Sequence, residues 1–600
     1  MENQTKRKLM DMLLAYGVRG ETDIAQIPFY PQKTECFFSR TAENGVKWST
    51  PEGEGISSLD IQQMLLQLQQ HKNANLHTVS VYRHGKLISE ATAPGYSTTV
   101  WRVTHSMAKT ITALAIGQLI DEGKLSLSTK LVDVLGDFCP ARMHKYMREV
   151  TVLHLLSMSS GVVGISETTA VVEERWASAF LSSTPIAPPG TVFKYNSMNT
   201  YMLSVLLTKI TGKSLTEFLA ERLFQPMDIR NFLCEKSPEG IEKAGWGMYL
   251  SPRDMAKIGQ LILQNGKWQG KSLVSEKWMR MMTRKSFQVA DSQSAFDYAL
   301  HIWVAPDHSS YLISGMLGQC VWICPETDVV AVLTAGNQNI FEKAETLRIL
   351  SGTLGDSKKI SKTPLKKSKK DYLALRKTED AFWKCHAFVT PLLPQSRLKQ
   401  LFLRLVGQPS SPLPSALNQF VGNFQVKKNN AGLLPLFCRF MQNNHTQGIS
   451  SLRLFFKNNR FYVSFMEGVV CHTVEVGFYK RALGELNFGG EPYVVSCVGE
   501  CAKSEDGIPV LKLDLVFPEH TSCRRVKLFL DGNDLRVELS ETPGREMVDD
   551  LIAQFVPDTL RGGGIMAFIR TKMFGVDPFA CITPMLEPTL YAQRQDSTAP

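Results

Sequence analysis

The chain predicts two domains of different class: an α/β (α+β) sandwich, with an antiparallel sheet flanked by helices, over residues 51–350, and a separate all-β barrel or sandwich over residues 416–545. Three observations carry this reading. β-prone runs stand near both ends of the first region with helical periodicity between them. The second region is a series of short β-prone runs (LRLFFK, RFYVSFM, VVCHTVEVGFYK, PVLKLDLVF, RVKLFLDG, LRVELSE) cut by Asn, Gly and Asp turns. Finally, 600 residues exceed one core, because domains usually run to roughly 50–250 residues.

Residues 1–50 read as an N-terminal extension. ISSLDIQQMLLQLQQH then repeats apolar residues at helical spacing, which predicts a helix over roughly residues 58–71. LHTVSVYRHGKLISEATAPGY places two β-prone runs either side of Arg83-His84-Gly85-Lys86, with Gly85 available for positive φ, so an antiparallel hairpin is expected. SMAKTITALAIGQLIDEG carries a broad apolar stripe and ends near Gly123, a C-cap glycine, which implies a long buried helix beginning at or just before Ser106. VTVLHLLSMSSG, NTYMLSVLLTKI, SPRDMAKIGQLILQ with its Ser-Pro start, and SEKWMRMM supply a helical layer.

YLISGMLGQCVWICPETDVVAVLTAGN reads as two apolar β-runs joined by the turn Pro325-Glu326-Thr327-Asp328, after which the domain closes near residue 350. Residues 351–415 read as a Lys/Pro-rich linker ending in GQPSSPLPS. Residues 546–600 read as a C-terminal tail. Its Gly562-Gly563-Gly564 run is a turn or hinge, since a phosphate loop needs Lys and Ser/Thr at the Walker spacing.

Composition excludes several classes. A hydrophobic fraction of 44% with 21% charged residues is that of a folded chain, neither collagen-like, coiled-coil nor mainly disordered. No window approaches the roughly 18 uninterrupted apolar residues of a membrane span, so none is expected. The N-terminus carries no secretory pattern, and the twelve cysteines are scattered, which together point to a cytoplasmic protein with reduced thiols. Cys320/Cys324 and Cys497/Cys501 lack a second pair or histidines at zinc spacing and read as buried thiols, so no metal is expected. The net charge of +10 is concentrated in seven lysines between Lys358 and Lys370. A solvated linker is the plainer reading of that run, and an anionic-lipid or nucleic-acid patch the alternative. No aromatic interleaves the lysines to stack on bases, so no nucleic-acid partner is expected.

The chemistry-bearing feature is the three-residue step from Ser106 to Lys109. Residues i and i+3 share a helical face, which brings the amine to the hydroxyl. A serine hydroxyl is a weak nucleophile at neutral pH, and a lysine takes its proton only where burial and nearby positive charge lower the lysine's own proton affinity. The N-terminal end of a helix also favours the oxyanion formed on attack.

In context, HSMAKTITALAIGQLIDEGKLSLSTKLVDVL followed by VTVLHLLSMSSG, GWGMYLSPRDMAKIGQLILQNGKWQGKSLVSEKW and GMLGQCVWICPETDVVAVL resembles the serine β-lactamase and penicillin-binding-protein superfamily. The likeness is to its class C branch, with esterases and 6-aminohexanoate-dimer hydrolase, and covers about residues 55–345. It implies a β-lactamase-like fold, Ser106 as nucleophile, Lys109 as general base or proton relay, and Tyr195 as the tyrosine that shares a proton with the lysine and protonates the leaving group. The usual Tyr-x-Asn reads Tyr195-Asn196-Ser197 here, with Asn199 two further on, so Ser197 and Asn199 are candidates for orienting substrate. Where relatives carry Lys-Thr-Gly or His-x-Gly, this chain has Ile313-Ser314-Gly315 and then Met316. The Met316 N–H is the candidate second oxyanion donor, beside that of Ser106. Gly315 either permits close substrate approach or serves a β-bulge.

His105 reads as structural, because neighbours on a helix start point apart, and Arg253 and Asp254 as ordinary first-turn residues. The expected activity is hydrolysis of a small ester or amide, with a lactam left open, through a Ser106 acyl-enzyme with no metal or organic cofactor. The missing cation argues against a substrate recognised by its carboxylate. The rival reading is a catalytically idle binding or regulatory protein built on the same fold. The oligomeric state is not legible.

Overall fold

The computed structural model describes residues 45–382 except 167–169, 285–286, 289–295 and 341–343, together with 412–547, 586–595, most of 21–35 and a few scattered positions. The chain divides into two units, one of residues 1–9 and 37–385, the other of residues 10–36 and 386–600.

The first unit is built on an eight-stranded sheet whose order is Lys47–Trp48, Lys86–Thr92, Leu76–Arg83, Val329–Ala335, Cys320–Cys324, Tyr311–Ser314, Trp303–Val304 and Asp297–Tyr298. Every pairing is antiparallel except that of the short edge strand Lys47–Trp48 with Lys86 and Leu87. The 76–92 hairpin turns at His84 (φ 51) and Gly85 (φ 69), two left-handed residues in succession, which suits the twist of its strands.

Alternation sends strand residues to opposite faces. Val79, Val81, Trp322 and Ala331 pack with Met64, Leu65 and Leu68 of the Ser58–Gln70 helix. On the other face lies the Pro252–Leu263 helix, capped by Ser251. Its Gly259 allows a close approach, because a Cβ there would stand 2.6 Å from Val321 Cγ1. Ala108–Asp121, buried through Leu119, and Met198–Thr211 form the helical layer beside it. The 311–335 region holds three strands where two runs were expected, since Leu317 and Gly318, both at positive φ, turn the chain between Tyr311–Ser314 and Cys320–Cys324.

The expected boundary at residue 350 and the linker from 351 differ from the structure. The Ala344–Leu354 helix crosses residue 350, and a further helix, Lys369–Asp380, belongs to this unit. Leu375 is fully buried, and Thr378 Oγ1 accepts a hydrogen bond from Gln62 Nε2 at 3.0 Å. Lysine-rich composition masks this helix, because one short apolar stripe suffices to dock it.

The second unit is an antiparallel ten-stranded sheet from Val470–Val476 at one edge to Ala482–Phe488 at the other. A parallel bridge between Gly477 and Val498 curls the edges together into a near-barrel filled by Phe424, Leu454, Phe465, Leu513, Val526 and Val537, among others. The tail is not external to it: Thr589–Arg594 is an interior strand between Gly422–Val426 and Asp534–Thr542. Of the N-terminal extension, residues 10–36 likewise belong to this unit. Lys33 is buried with its Nζ 3.0 Å from Glu519 Oε2, and the Ile27 carbonyl accepts a hydrogen bond from Asn443 Nδ2 at 2.6 Å. Gly562-Gly563-Gly564 lies outside the described residues.

Candidate active site

The site grows from the strand Arg102–Val103, which pairs with Met248–Leu250 of the first unit. Thr104 is locked to it twice, its N–H and its Oγ1 donating to the Met248 carbonyl at 2.7 and 2.9 Å. The chain then reverses at His105 (φ 50) and passes through a 3-10 turn, His105–Met107, into the buried helix. A left-handed non-glycine residue costs about 1 kcal/mol or more. Here it sits one residue before Ser106, which is left half-buried while Lys109 is buried. His105 is itself buried.

Lys109 Nζ donates to three acceptors, Ser106 Oγ at 2.9 Å, Ser197 Oγ at 2.9 Å and the Gly245 carbonyl at 2.8 Å. Three is the donor capacity of an ammonium. The Tyr195 ring centroid lies 4.9 Å from the same nitrogen. Ser106, Lys109, Tyr195 and Ser197 are therefore brought together, but Ser197 touches the lysine itself.

Asn199 is not part of this cluster. Fully buried, its Nδ2 donates to the Asn196 carbonyl at 3.0 Å and contacts Met158 Sδ at 3.4 Å, so the expectation that it orients substrate is replaced by a packing role one helical turn inward. Asn196, passed over in the sequence, does more. Its Nδ2 binds the Val162 and Ile165 carbonyls at 3.0 and 2.8 Å, and its Oδ1 accepts from the Met198 N–H at 2.9 Å, fixing the start of the Met198–Thr211 helix and hence Ser197.

Gly315 has φ −118 and no bulge interrupts its strand pairing. The β-bulge role is therefore absent. A Cβ there would stand 2.6 Å from the Thr104 carbonyl oxygen, so glycine is required where this strand end crosses the turn that carries Ser106. The Gly315 N–H donates to the Gln319 carbonyl at 2.8 Å and that of Leu317 to the Ile340 carbonyl at 2.9 Å, with the Met316 amide between them.

Gly245 was also missed. A Cβ on it would lie 2.9 Å from the Ser197 carbonyl oxygen and 3.2 Å from Thr200 Cβ. The available signal was the tight run Ala244-Gly245-Trp246-Gly247, in which Ala244 and Gly247 both take positive φ.

His301 completes the surroundings. It faces Thr200 Oγ1 at 2.9 Å and Tyr298 Oη at 3.3 Å, and burial with the nearby Lys109 charge pushes its pKa down to about 3, so it is neutral at pH 7. Tyr298 makes edge contacts with Tyr195 (6.0 Å) and Trp303 (4.8 Å), and Phe193 lies 5.2 Å from Tyr298, giving the site one aromatic wall.

A β-lactamase family model matches residues 64–351. This stretch is a β-lactamase family domain. It contains every residue of the cluster above. Over 128 residues the chain is 34% identical to penicillin-binding protein 4 of Amycolatopsis lactamdurans, covering 21% of this chain and 33% of that protein. It is 23% identical to 6-aminohexanoate-dimer hydrolase of Paenarthrobacter ureafaciens over 279 residues, 42% of this chain and 70% of that one. The chain thus spans a third of the first relative's length and 70% of the second's. A penicillin-binding-protein homologue from Caulobacter crescentus aligns in structure with 14% identity and a TM-score of 0.41, covering 49% of this chain and 95% of that one. The β-lactamase family domain has the fold class expected from the sequence, with a mixed rather than wholly antiparallel sheet. Among the described residues of the chain, no helix is long and apolar enough to cross a membrane.

Proposed function

We propose that this protein is a serine hydrolase that cleaves an ester or amide through an acyl-enzyme on Ser106. The observation that carries the reading is the Lys109 ammonium shared by Ser106 Oγ, Ser197 Oγ and the Gly245 carbonyl with the Tyr195 ring beside it.

In the reactive state Lys109 is neutral and its lone pair points at Ser106. Ser106 Oγ attacks the substrate carbonyl carbon as its proton passes to Lys109. The tetrahedral oxyanion is held by the N–H groups of Ser106 and Met316. The proton moves through Tyr195 to the departing alkoxide or amine, and the bond from acyl carbon to leaving group breaks. Water then attacks the acyl carbon, the same groups taking its proton and returning it to Ser106 Oγ, which releases the carboxylic acid. Gly245 and Ser197 keep the amine in place throughout.

Ile313-Ser314-Gly315 offers no lysine or histidine to a substrate carboxylate. That supports neutral esters or amides bordered by the aromatic wall. The same feature favours the second reading, a catalytically idle member of the fold.

Intact-protein mass spectrometry after treatment with a small activated ester and a serine-directed fluorophosphonate separates them. One adduct on Ser106, lost in Ser106→Ala and in Lys109→Ala, is the expected result. A folded wild-type protein without adduct sinks the hydrolase reading.

A further inference from the structure

The lysine-rich run is held in place. Ile360 is buried, the Ser361 N–H donates to the Gly55 carbonyl at 2.9 Å, the Ser361 carbonyl accepts from Arg83 Nη1 at 2.8 Å, and the Leu365 N–H donates to the Glu52 carbonyl at 2.8 Å. Gly55 stands at φ 75, and a Cβ on it would lie 2.2 Å from the Ser361 carbonyl oxygen, so the segment crosses there at a distance that requires glycine. From Ser368, whose hydroxyl accepts from the Asp371 N–H, the chain enters the Lys369–Asp380 helix. The inner face of that helix buries Leu375; its outer face aligns Lys370, Leu373 and Lys377 at i, i+3 and i+7, with Leu373 56% exposed.

All seven lysines, at 358, 359, 362, 366, 367, 369 and 370, are exposed. Lys359 reaches Asp356 at 3.8 Å, and among the described residues the other six have no ion-pair partner. A mobile linker would let like charges spread apart, whereas this anchored strip keeps them close. Lys369 and Lys370 stand in the first helical turn, where the dipole disfavours cations. The arrangement therefore opposes local stability, and an anionic partner would relieve it.

We propose that this strip, with the outer face of the Lys369–Asp380 helix, docks on an anionic phospholipid bilayer. Clustered lysines gain additively from the negative potential of a membrane surface. An exposed leucine on a basic helical face fits the boundary between headgroups and acyl chains. A nucleic acid would use neither that leucine nor a run of lysines without interleaved aromatics. The proposal is independent of the hydrolase reading.

Co-sedimentation of the full chain with vesicles of phosphatidylcholine, with and without phosphatidylserine, tests it. Binding to the anionic vesicles is expected at low salt, declining as salt rises. The charge-reversed variant K366E/K367E/K369E/K370E is expected to lose roughly tenfold or more of that binding, with a melting temperature no lower than that of the wild type. Leu373→Ser is expected to weaken it further by several-fold at constant charge. Equal binding to neutral and anionic vesicles, or full binding by the folded charge-reversed variant, overturns the proposal. So does displacement from the vesicles by an RNA oligonucleotide at a lower concentration than the lipid requires, which would assign the strip to nucleic acid.

Discussion

Lys109 and Gly245 stand 136 residues apart, and the ammonium of the first donates to the carbonyl of the second at 2.8 Å. This contact aims the amine. One of its three N–H bonds goes to an acceptor that takes no part in proton transfer, which leaves the other two directions to Ser106 and Ser197. Gly245→Ala would push the loop away, since the added Cβ would meet the Ser197 carbonyl oxygen at 2.9 Å. A misplacement of this kind costs up to about 100-fold in rate. Fluorophosphonate labelling of Ser106 in Gly245→Ala should slow by roughly 10- to 100-fold. Labelling at the wild-type rate would show that the contact does not position the amine.

His301 ties stability to pH. Its folded pKa of about 3 lies below the ordinary 6.5 because of burial and the Lys109 charge, so between these values the unfolded chain binds a proton that the folded chain does not. The sign follows: this stability is fully present above pH 6.5 and is lost as pH falls toward 3. A single such group contributes about 2 kcal/mol to the difference between pH 7 and pH 5. Urea unfolding at the two pH values should show that His301→Gln has the shallower dependence. Parallel dependences in variant and wild type would mean that His301 titrates normally.

Leu375 distinguishes a docked helix from a linker. As a fully buried side chain in the first unit's core it should cost about 2–5 kcal/mol when truncated to alanine. Chemical denaturation of Leu375→Ala measures this, and an unchanged midpoint would return the segment to a linker.

Lys33 makes the N-terminal segment part of the second unit. Its Nζ lies 3.0 Å from Glu519 Oε2 and 4.1 Å from the Tyr493 ring centroid, with Glu491 at 4.0 Å. Removing one partner of a buried pair leaves the other charge uncompensated, which costs about 3–5 kcal/mol. Lys33→Met should therefore lower the melting temperature of the full chain, and Lys33→Met with Glu519→Gln should recover part of the loss. A variant as stable as wild type would show the segment to be external.

The two classes of fold, the 76–92 hairpin, the buried helix that starts just after Ser106, and the capped Pro252–Leu263 helix were legible in the sequence because each is specified within a dozen or so residues by periodicity, caps and turn glycines. Three features were not. Asn199 and Ser197 are two residues apart in one polar run, and nothing local says which faces Lys109. Gly315 and Gly245 are glycines because of the Thr104 and Ser197 backbones, each supplied by a distant segment. The Lys369–Asp380 helix, the Thr589–Arg594 strand and Lys33 are held by surfaces that other parts of the chain build. Local hydrogen bonding and apolar spacing determined which elements form. Close approach of backbones and burial of charge, which exist only once distant segments meet, decided which residues surround Ser106 and where each unit ends.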